Sequence, residues 1–231
     1  MKIALLGYGK MGKAIEEIAI SRGHKIVLKL DDFTKDIQFN KADVAIDFSI
    51  PEAAFYNISQ ALEQNVPIVS GTTGWLNQME EVLRLCQTKN GSFIYSSNYS
   101  LGVNLFFSLN KQLAKLMQKF DYEPSVIETH HTQKLDSPSG TAITLANHLL
   151  PYSQKKGWTM EENQNDKLKI TSYRIDEVAG THQVIYTSPI DDIEIKHTAH
   201  NRVGFAQGAV LAAEYIATRK GVFTMKDVLD L

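Results

Sequence analysis

The chain has a single cysteine, Cys86, among 231 residues. That excludes an intrachain disulfide and fits a reducing compartment. Cys86 lies in the amphipathic pattern MEEVLRLCQ, which marks a buried core thiol rather than a nucleophile. No charge of one sign dominates. Lys and Arg number 24 against 26 Asp and Glu, a net charge of -2, which argues against a nucleic-acid partner. No apolar run approaches the roughly 20 residues of a membrane span. The apolar start, MKIALLGYGKMG, is broken by a turn too early for a signal peptide. No internal repeat or low-complexity segment is visible. These absences leave a cytoplasmic globular protein of one large or two modest domains.

What is present begins with KIALLG, a short unbroken apolar run suited to a buried parallel strand. It enters Gly7-Tyr8-Gly9-Lys10-Met11-Gly12, a G-x-G-x-x-G match. The spacing of Met11, Ile15, Ile18 and Ala19 predicts a helix ending near Gly23, and HKIVLKLDD predicts a second strand. This is the context a dinucleotide fingerprint requires. Gly7 permits the turn, Gly9 lets backbone approach a pyrophosphate, and Gly12 allows close helix–strand packing. The helix N-terminus favours phosphate charge. Asp31 closes the second strand at the place of a ribose-binding acid, and Asp32 follows where an Arg would favour NADP. The expectation is NADH in preference to NADPH, with Lys10 and Lys29 the cations that oppose it.

The alternation continues through ADVAIDFS, PEAAFYNISQALEQN, VPIVSGTTGW, LNQMEEVLRLCQTKN and GSFIYSSNYS. Open α/β sheets bind ligands at the carboxyl ends of their strands. Asp47, Phe48, Gly71, Thr72, Thr73, Ser96, Ser97, Asn98 and Tyr99 then share one rim, although a plain polar loop explains Gly71 to Thr73 equally well.

The second half differs. GVNLFFSLNKQLAKLMQKF predicts a long helix with a core stripe of Leu105, Leu109, Leu113, Leu116 and Phe120. SVIETHH reads as a strand and AITLANHLL as a helix. PYSQKKGWTMEENQNDKLK reads as a loop. KITSYRIDE, THQVIYTSPI and DDIEIKHTAH are strands in succession, which implies a mixed or antiparallel sheet. GFAQGAVLAAEYIATRKG is a small-residue helix capped by Gly221, followed by MKDVLDL. The fold class is α/β: a Rossmann-type parallel sheet with a second α+β domain. A domain boundary falls near residue 100, with 1–100 for dinucleotide binding, and the last helices could pack on either domain.

ETHHTQKLDSPSGTA concentrates more chemistry than any other stretch. Ser139-Gly140-Thr141, at a helix start, offers backbone N–H groups, a hydroxyl and a dipole to an anion. A His can deliver a proton near neutrality, and a Lys can stabilise negative charge. A metal is not expected. His130 and His131 alternate across a strand, and no Cys or carboxylate set accompanies them. His24, His148, His182, His197 and His200 read as structural by default, with His182, His197 and Arg202 available as support from the second sheet.

With both halves placed, the sequence resembles the 4-hydroxy-tetrahydrodipicolinate reductase (dihydrodipicolinate reductase) family over essentially its whole length. The resemblance rests on GYGKMG, DFS, GTTG, SSNYSLGVN, ETHHTQKLDSPSGTA, GTHQVIY and IKHTAHNRVGFAQGAVLAA. It implies an NAD(P)H-dependent oxidoreductase of diaminopimelate and lysine biosynthesis, acting on a cyclic dicarboxylate. It implies nucleotide contacts from Gly7 to Gly12, Asp31, Gly71-Thr72-Thr73 and Ser96 to Tyr99. It makes His130 and Lys134 catalytic, and His131, Gly140 and Thr141 substrate contacts. It also implies a substrate-binding and oligomerisation domain at 101–203, a nucleotide domain 1–100 completed by the C-terminal helices 204–231, and a homotetramer joined through the second domains' sheets. The sequence departs from the family at Thr132-Gln133, often Arg-His, and at Thr181, where Gly-Glu-His is usual. Another small amino-acid dehydrogenase and a non-catalytic nucleotide-sensing module are the competing readings.

Overall fold

The computed structural model describes residues 1–31 and 36–231; Asp32, expected beside the ribose acid, lies outside the described residues. The elements run β1 (Lys2–Leu6), α1 (Lys10–Ser21), β2 (Lys25–Leu30), β3 (Val44–Asp47), α2 (Pro51–Glu63), β4 (Ile68–Ser70), α3 (Met79–Thr88) and β5 (Ser92–Tyr95). Then come α4 (Leu101–Met117), β6 (Glu123–His130), α5 (Gly140–Leu149), β7 (Trp158–Thr159), β8 (Leu168–Arg174), β9 (Gly180–Thr187) and β10 (Asp192–Ala199). The chain ends with α6 (Val203–Ile216), β11 (Gly221–Phe223) and α7 (Met225–Leu229). Two compact units result: Met1–Leu101 with Val203–Leu231, and Gly102–Arg202. Among the described residues no helix is long and apolar enough to cross a membrane.

The first unit is a six-stranded parallel sheet in the order β11-β5-β4-β3-β1-β2. Its strands are apolar on both faces because helices cover both. Ile3, Leu5, Val44, Ile46, Val69 and Ile94 pack toward α1 and α6. Their alternates, Ala4, Leu6, Ala45, Ile68 and Phe93, pack toward α2 and α3, where Cys86 is buried as expected. Strand order reverses at β1, which has β2 on one side and β3 on the other. Such a reversal opens a crevice at the strands' carboxyl ends.

Two sequence expectations fail at the C-terminus. α6 stops at Ile216, and Gly221 opens β11 instead of capping the helix. β11 is short and pairs in parallel with β5, so its pattern is set by a partner more than 120 residues earlier in the chain.

The second unit is a five-stranded mixed sheet, order β10-β9-β6-β8-β7. β6 and β8 are parallel, while β9 runs antiparallel to β6 and β10. α4 and α5 supply Phe106, Ala114, Met117, Leu145 and Leu149 to a core with Val126, Ile170 and Val184. The core stripe expected on α4 is a correction. Leu105, Leu109, Leu116 and Phe120 are 49–68% exposed. The buried face instead runs through Val103, Phe106, Asn110, Ala114 and Met117. Asn110 belongs there because its Nδ2 donates to Leu145 O at 3.2 Å. The larger side chains form a second apolar stripe, so periodicity alone chose the wrong face.

Candidate active site

The crevice of the first unit is built at the ends of β1, β2 and β3. A cleft of about 180 Å³ is lined by Gly7, Gly9, Leu30, Asp31, Phe48 and Ser49. A larger hollow of about 400 Å³ near Gln38 and Gln64 has neither the glycine turn nor the strand ends, so volume alone does not select the site. Gly7 has φ +91°, and a Cβ there would stand 2.1 Å from Phe48 O. Only glycine allows that left-handed turn at that approach. Gly12 is closed in the same way by Gly7 O. Gly9, the N-cap of α1, has nothing within 4 Å of where a side chain would project. Tyr8 and Lys10 flank it, and Met11 lies in the first turn. The open backbone, the uncapped first-turn N–H groups and the carboxylate of Asp31 fit a pyridine dinucleotide.

Lys29 does not stand free beside Asp31. Its Nζ is 2.6 Å from Glu16 Oε1 and donates to Tyr8 Oη at 3.2 Å. Tyr8 also donates to Glu16. These bonds, Lys29 first, hold the Glu16 carboxyl below its ordinary value.

A buried carboxylate organises the rest of the rim. Asp47 is fully enclosed and accepts from Ser49 Oγ at 2.6 Å, Asn57 Nδ2 at 3.0 Å, Ser70 Oγ at 2.9 Å and Thr72 Oγ1 at 2.8 Å. Burial pushes its pKa up, and those four bonds oppose the rise. Gly71 lies against the Phe48 ring. Thr73 and Ser97 are exposed, and Ser96 Oγ closes a turn by donating to Asn98 O. Tyr99 requires a correction. Its side chain is 1% exposed, and its hydroxyl donates to Ser70 O at 2.8 Å. It braces the rim from the core instead of lining it.

In the second unit, β6 alternates, and its buried side carries Pro124, Val126, Glu128 and His130 in turn. The apolar core thus ends in two titratable groups. Register supplies their neighbours: Glu128 stands opposite Ser172 on β8 and His182 on β9, and His130 stands opposite Arg174. Glu128 Oε1 accepts from Ser172 Oγ at 2.8 Å, Ser139 N at 3.0 Å and Arg174 Nη2 at 3.2 Å. Its Oε2 is 3.1 Å from His130 Nδ1 and 3.8 Å from His182 Nε2. Burial alone would raise the Glu128 pKa. Its contacts with His130, Ser139 and Ser172 outweigh that and hold the carboxyl well below the usual range. Burial, joined by the charge of His130, pushes His182 down to about 3.

Ser139 is the N-cap of α5, its Oγ accepting from Ala142 N at 3.2 Å and lying 3.2 Å from His182 Nε2. The helix N-terminus expected from Ser-Gly-Thr is present, with Gly140 exposed and Thr141 half-buried. Lys134 donates to both Asp136 oxygens, at 2.6 and 2.8 Å. Arg174 Nη2 also donates to Asp136 O at 2.7 Å, so one guanidinium ties this loop to Glu128. His131 is half-buried, and its carbonyl accepts from Lys134 N at 3.2 Å. Thr132 donates to Asp176.

The fold therefore joins His130 and Ser139 through Glu128, and joins Lys134 through Arg174. Sequence reasoning left Glu128 as flanking text, His182 as structural by default and Arg174 unmentioned. The reason given against a metal also needs correction, because one ligand atom each from Glu128, His130 and His182 lie within 4.8 Å of one another. Arg174 occupies the same carboxylate, and its charge opposes a cation there.

Comparison with known proteins covers both units. A family model described as dihydrodipicolinate reductase, N-terminus, matches residues 1–99, and the corresponding C-terminus model matches residues 102–229. A curated 4-hydroxy-tetrahydrodipicolinate reductase from Christiangramia forsetii is 54% identical over 100% of this chain and 98% of its own. A relative of the same name from Methanoregula boonei is 36% identical over 83% of this chain and 76% of its own. Among solved structures, a dipicolinate-bound dihydrodipicolinate reductase from Paenisporosarcina sp. TG-14 has a TM-score of 0.77 at 23% identity, covering 97% of each chain, a likeness of fold. Since these matches run through the glycine turn and the Glu128–Thr141 stretch alike, the chain belongs to the dihydrodipicolinate reductase family.

Proposed function

We propose that the chain reduces 4-hydroxy-tetrahydrodipicolinate to tetrahydrodipicolinate in diaminopimelate and lysine biosynthesis. Substrate, NAD(P)H and a proton are consumed; water from the 4-hydroxyl and the oxidised nucleotide leave. The observation that carries the reading is the buried set Glu128, His130, Ser139 and His182 at the N-terminus of α5. It joins a proton-bearing group to an anion-binding helix end.

A nucleotide held by Gly7 to Gly12, Asp31, Phe48, Thr72, Thr73 and the Ser96–Asn98 turn supplies the hydride. His130 donates the proton. Ser139, Gly140 and Thr141 hold one substrate carboxylate, and His131, next to His130 in the sequence, is a further contact. Lys134 stabilises the developing anion. Its present partner, Asp136, is 58% exposed, and such pairs are worth only about 0–1 kcal/mol, so a substrate carboxylate displaces it readily.

NADH is the preferred cofactor, because Asp31 repels a 2′-phosphate and Lys29 is neutralised by Glu16. The enzyme is a cytoplasmic homotetramer. The uncovered sheet face of the second unit, with half-buried Ile127 and Ile185 and exposed Tyr173, supports association through that face. Light scattering on the purified protein tests it, and Ile185→Glu should lower the assembly order.

The activity test supplies substrate freshly made from pyruvate and aspartate semialdehyde and follows NADH oxidation. A folded protein that leaves NADH untouched refutes the function. Small amino acids offered in the same assay test the other dehydrogenase reading. Turnover of any substrate excludes the sensing module.

A further inference from the structure

Glu128 has no exposed side-chain surface, and its two oxygens are used differently. Oε1 takes all three donors, Ser139 N, Ser172 Oγ and Arg174 Nη2. Oε2 takes none, although it is buried. His130 Nδ1 is likewise buried and without a hydrogen bond. These two unsatisfied atoms lie 3.1 Å apart. A buried bond left unmade is costly, so the pair is poised to close by a small rotation of the imidazole. The carboxylate cannot follow the ring, because two donors on β8 and one at the N-cap of α5 clamp its other oxygen. On the far side of the ring, a side chain at Gly180 would stand 3.1 Å from Nε2. Glycine keeps that nitrogen clear.

We infer that Glu128 is a positioning residue, which holds a proton on His130 Nδ1 and so presents Nε2 as the proton donor to substrate. This rests on the assignment of His130 above and deepens it. The strand geometry explains the Glu-x-His spacing, since residues two apart on β6 share a face. The carboxylate is also a buried negative charge 3.1 Å from Nδ1. Its charged and titratable neighbours bear on that pairing, and among them Asp136 is itself paired with Lys134. Arg174 on β8 offsets part of the carboxylate charge, while Lys134 in the loop opposes a second cation. His182 on β9 is kept neutral by burial, and His197 on β10 is also pushed down by burial. Glu128 is therefore the anion that the imidazolium faces.

The test is Glu128→Gln in the full chain, alone and combined with His130→Gln. Glu128→Gln keeps the shape and removes the charge. The expected result is unchanged NADH affinity, a kcat lower by roughly 10²-fold, the low end of the general acid–base range, and an alkaline limb of the kcat–pH profile moved to lower pH. The double variant should be no slower than His130→Gln alone. An unmoved limb, or a Glu128→Gln loss that persists in full in the His130→Gln background, overturns the positioning role and leaves the His130 assignment intact. Wild-type turnover by His130→Gln instead removes the assignment on which this role rests. If Glu128→Gln does not fold, Arg174→Lys provides the second variant, because it keeps the charge but loosens the clamp. It should lower kcat with KM for NADH unchanged, and wild-type kcat in it counts against the clamp.

Discussion

Thr72 Oγ1 donates to Asp47 Oδ2 at 2.8 Å and accepts from Ser49 N at 2.9 Å, so one hydroxyl ties the ends of β3 and β4 together. Thr72 is buried, whereas Thr73 beside it is exposed. Thr72→Val would keep the shape and break both bonds, leaving one carboxylate oxygen with Ser70 as its remaining donor. Stability should fall by about 1–3 kcal/mol, the cost of a buried unpaired group. If the bonds also set the nucleotide rim, the dissociation constant for NADH, followed by its fluorescence, should rise severalfold. A lower melting temperature with NADH affinity unchanged would show that Asp47 and Thr72 serve the fold alone.

Cofactor choice turns on Asp31 and Lys29. The wild type should give a higher kcat/KM with NADH than with NADPH. Asp31→Ser should narrow the ratio by on the order of tenfold, about the worth of one charge-assisted hydrogen bond. Glu16→Gln should narrow it further by releasing Lys29 for a 2′-phosphate. Equal rates with both nucleotides in the wild type would defeat the preference, and an unchanged ratio in both variants would place its origin elsewhere.

His182 makes the second unit sensitive to acid. Its folded-state pKa is depressed to about 3 by burial, while an unfolded His titrates near 6.5. Between those values the unfolded chain binds a proton that the native chain does not. Stability from this group is therefore fully present above pH 6.5 and declines as pH falls toward 3, by at most about 1.4 kcal/mol per pH unit. Glu128, also depressed, adds to the loss below its ordinary value of 4.5. Urea unfolding measured from pH 7.5 to 4 should show this slope, and His182→Gln should flatten it above pH 4.5. The same slope in both proteins would assign the acid sensitivity to other groups.

The parallel sheet was legible because its determinants are local. GYGKMG fixes a turn, and apolar runs of strand length alternate with amphipathic helices. The Ser139 cap was legible for the same reason, since Ser-Gly-Thr before an apolar run is a helix start. The α4 face was not, because Leu105, Leu109, Leu116 and Phe120 obey helical spacing as well as the buried set does. Only the sheet that packs against α4 distinguishes the two. Glu128, Ser172, Arg174 and His182 come from three strands, and their meeting depends on register across β8, β6 and β9. Nothing local in ETHH announces that its glutamate is the buried centre of the cluster. Tyr99 failed for a related reason. A tyrosine in a polar segment suggests a surface contact, and only its bond to Ser70 O reveals a core residue.

Ser139 has two jobs that separate variants can distinguish. Its Oγ caps α5 through Ala142 N, and the same oxygen lies 3.2 Å from His182 Nε2 at the proposed substrate end. Ser139→Ala removes the hydroxyl and the cap, and should lower stability by about 1 kcal/mol. Ser139→Gly also removes the hydroxyl, but glycine is tolerated at an N-cap and should lose only a few tenths of a kcal/mol. Both retain the backbone N–H that donates to Glu128. If the hydroxyl serves the substrate, directly or through His182, KM for the dicarboxylate should rise equally in the two variants despite their different melting temperatures. If it serves only the helix, KM should follow stability, and Ser139→Gly should bind substrate like the wild type. The KM comparison thus decides whether Ser139 belongs with the carboxylate-binding residues or only positions Gly140 and Thr141 for that task.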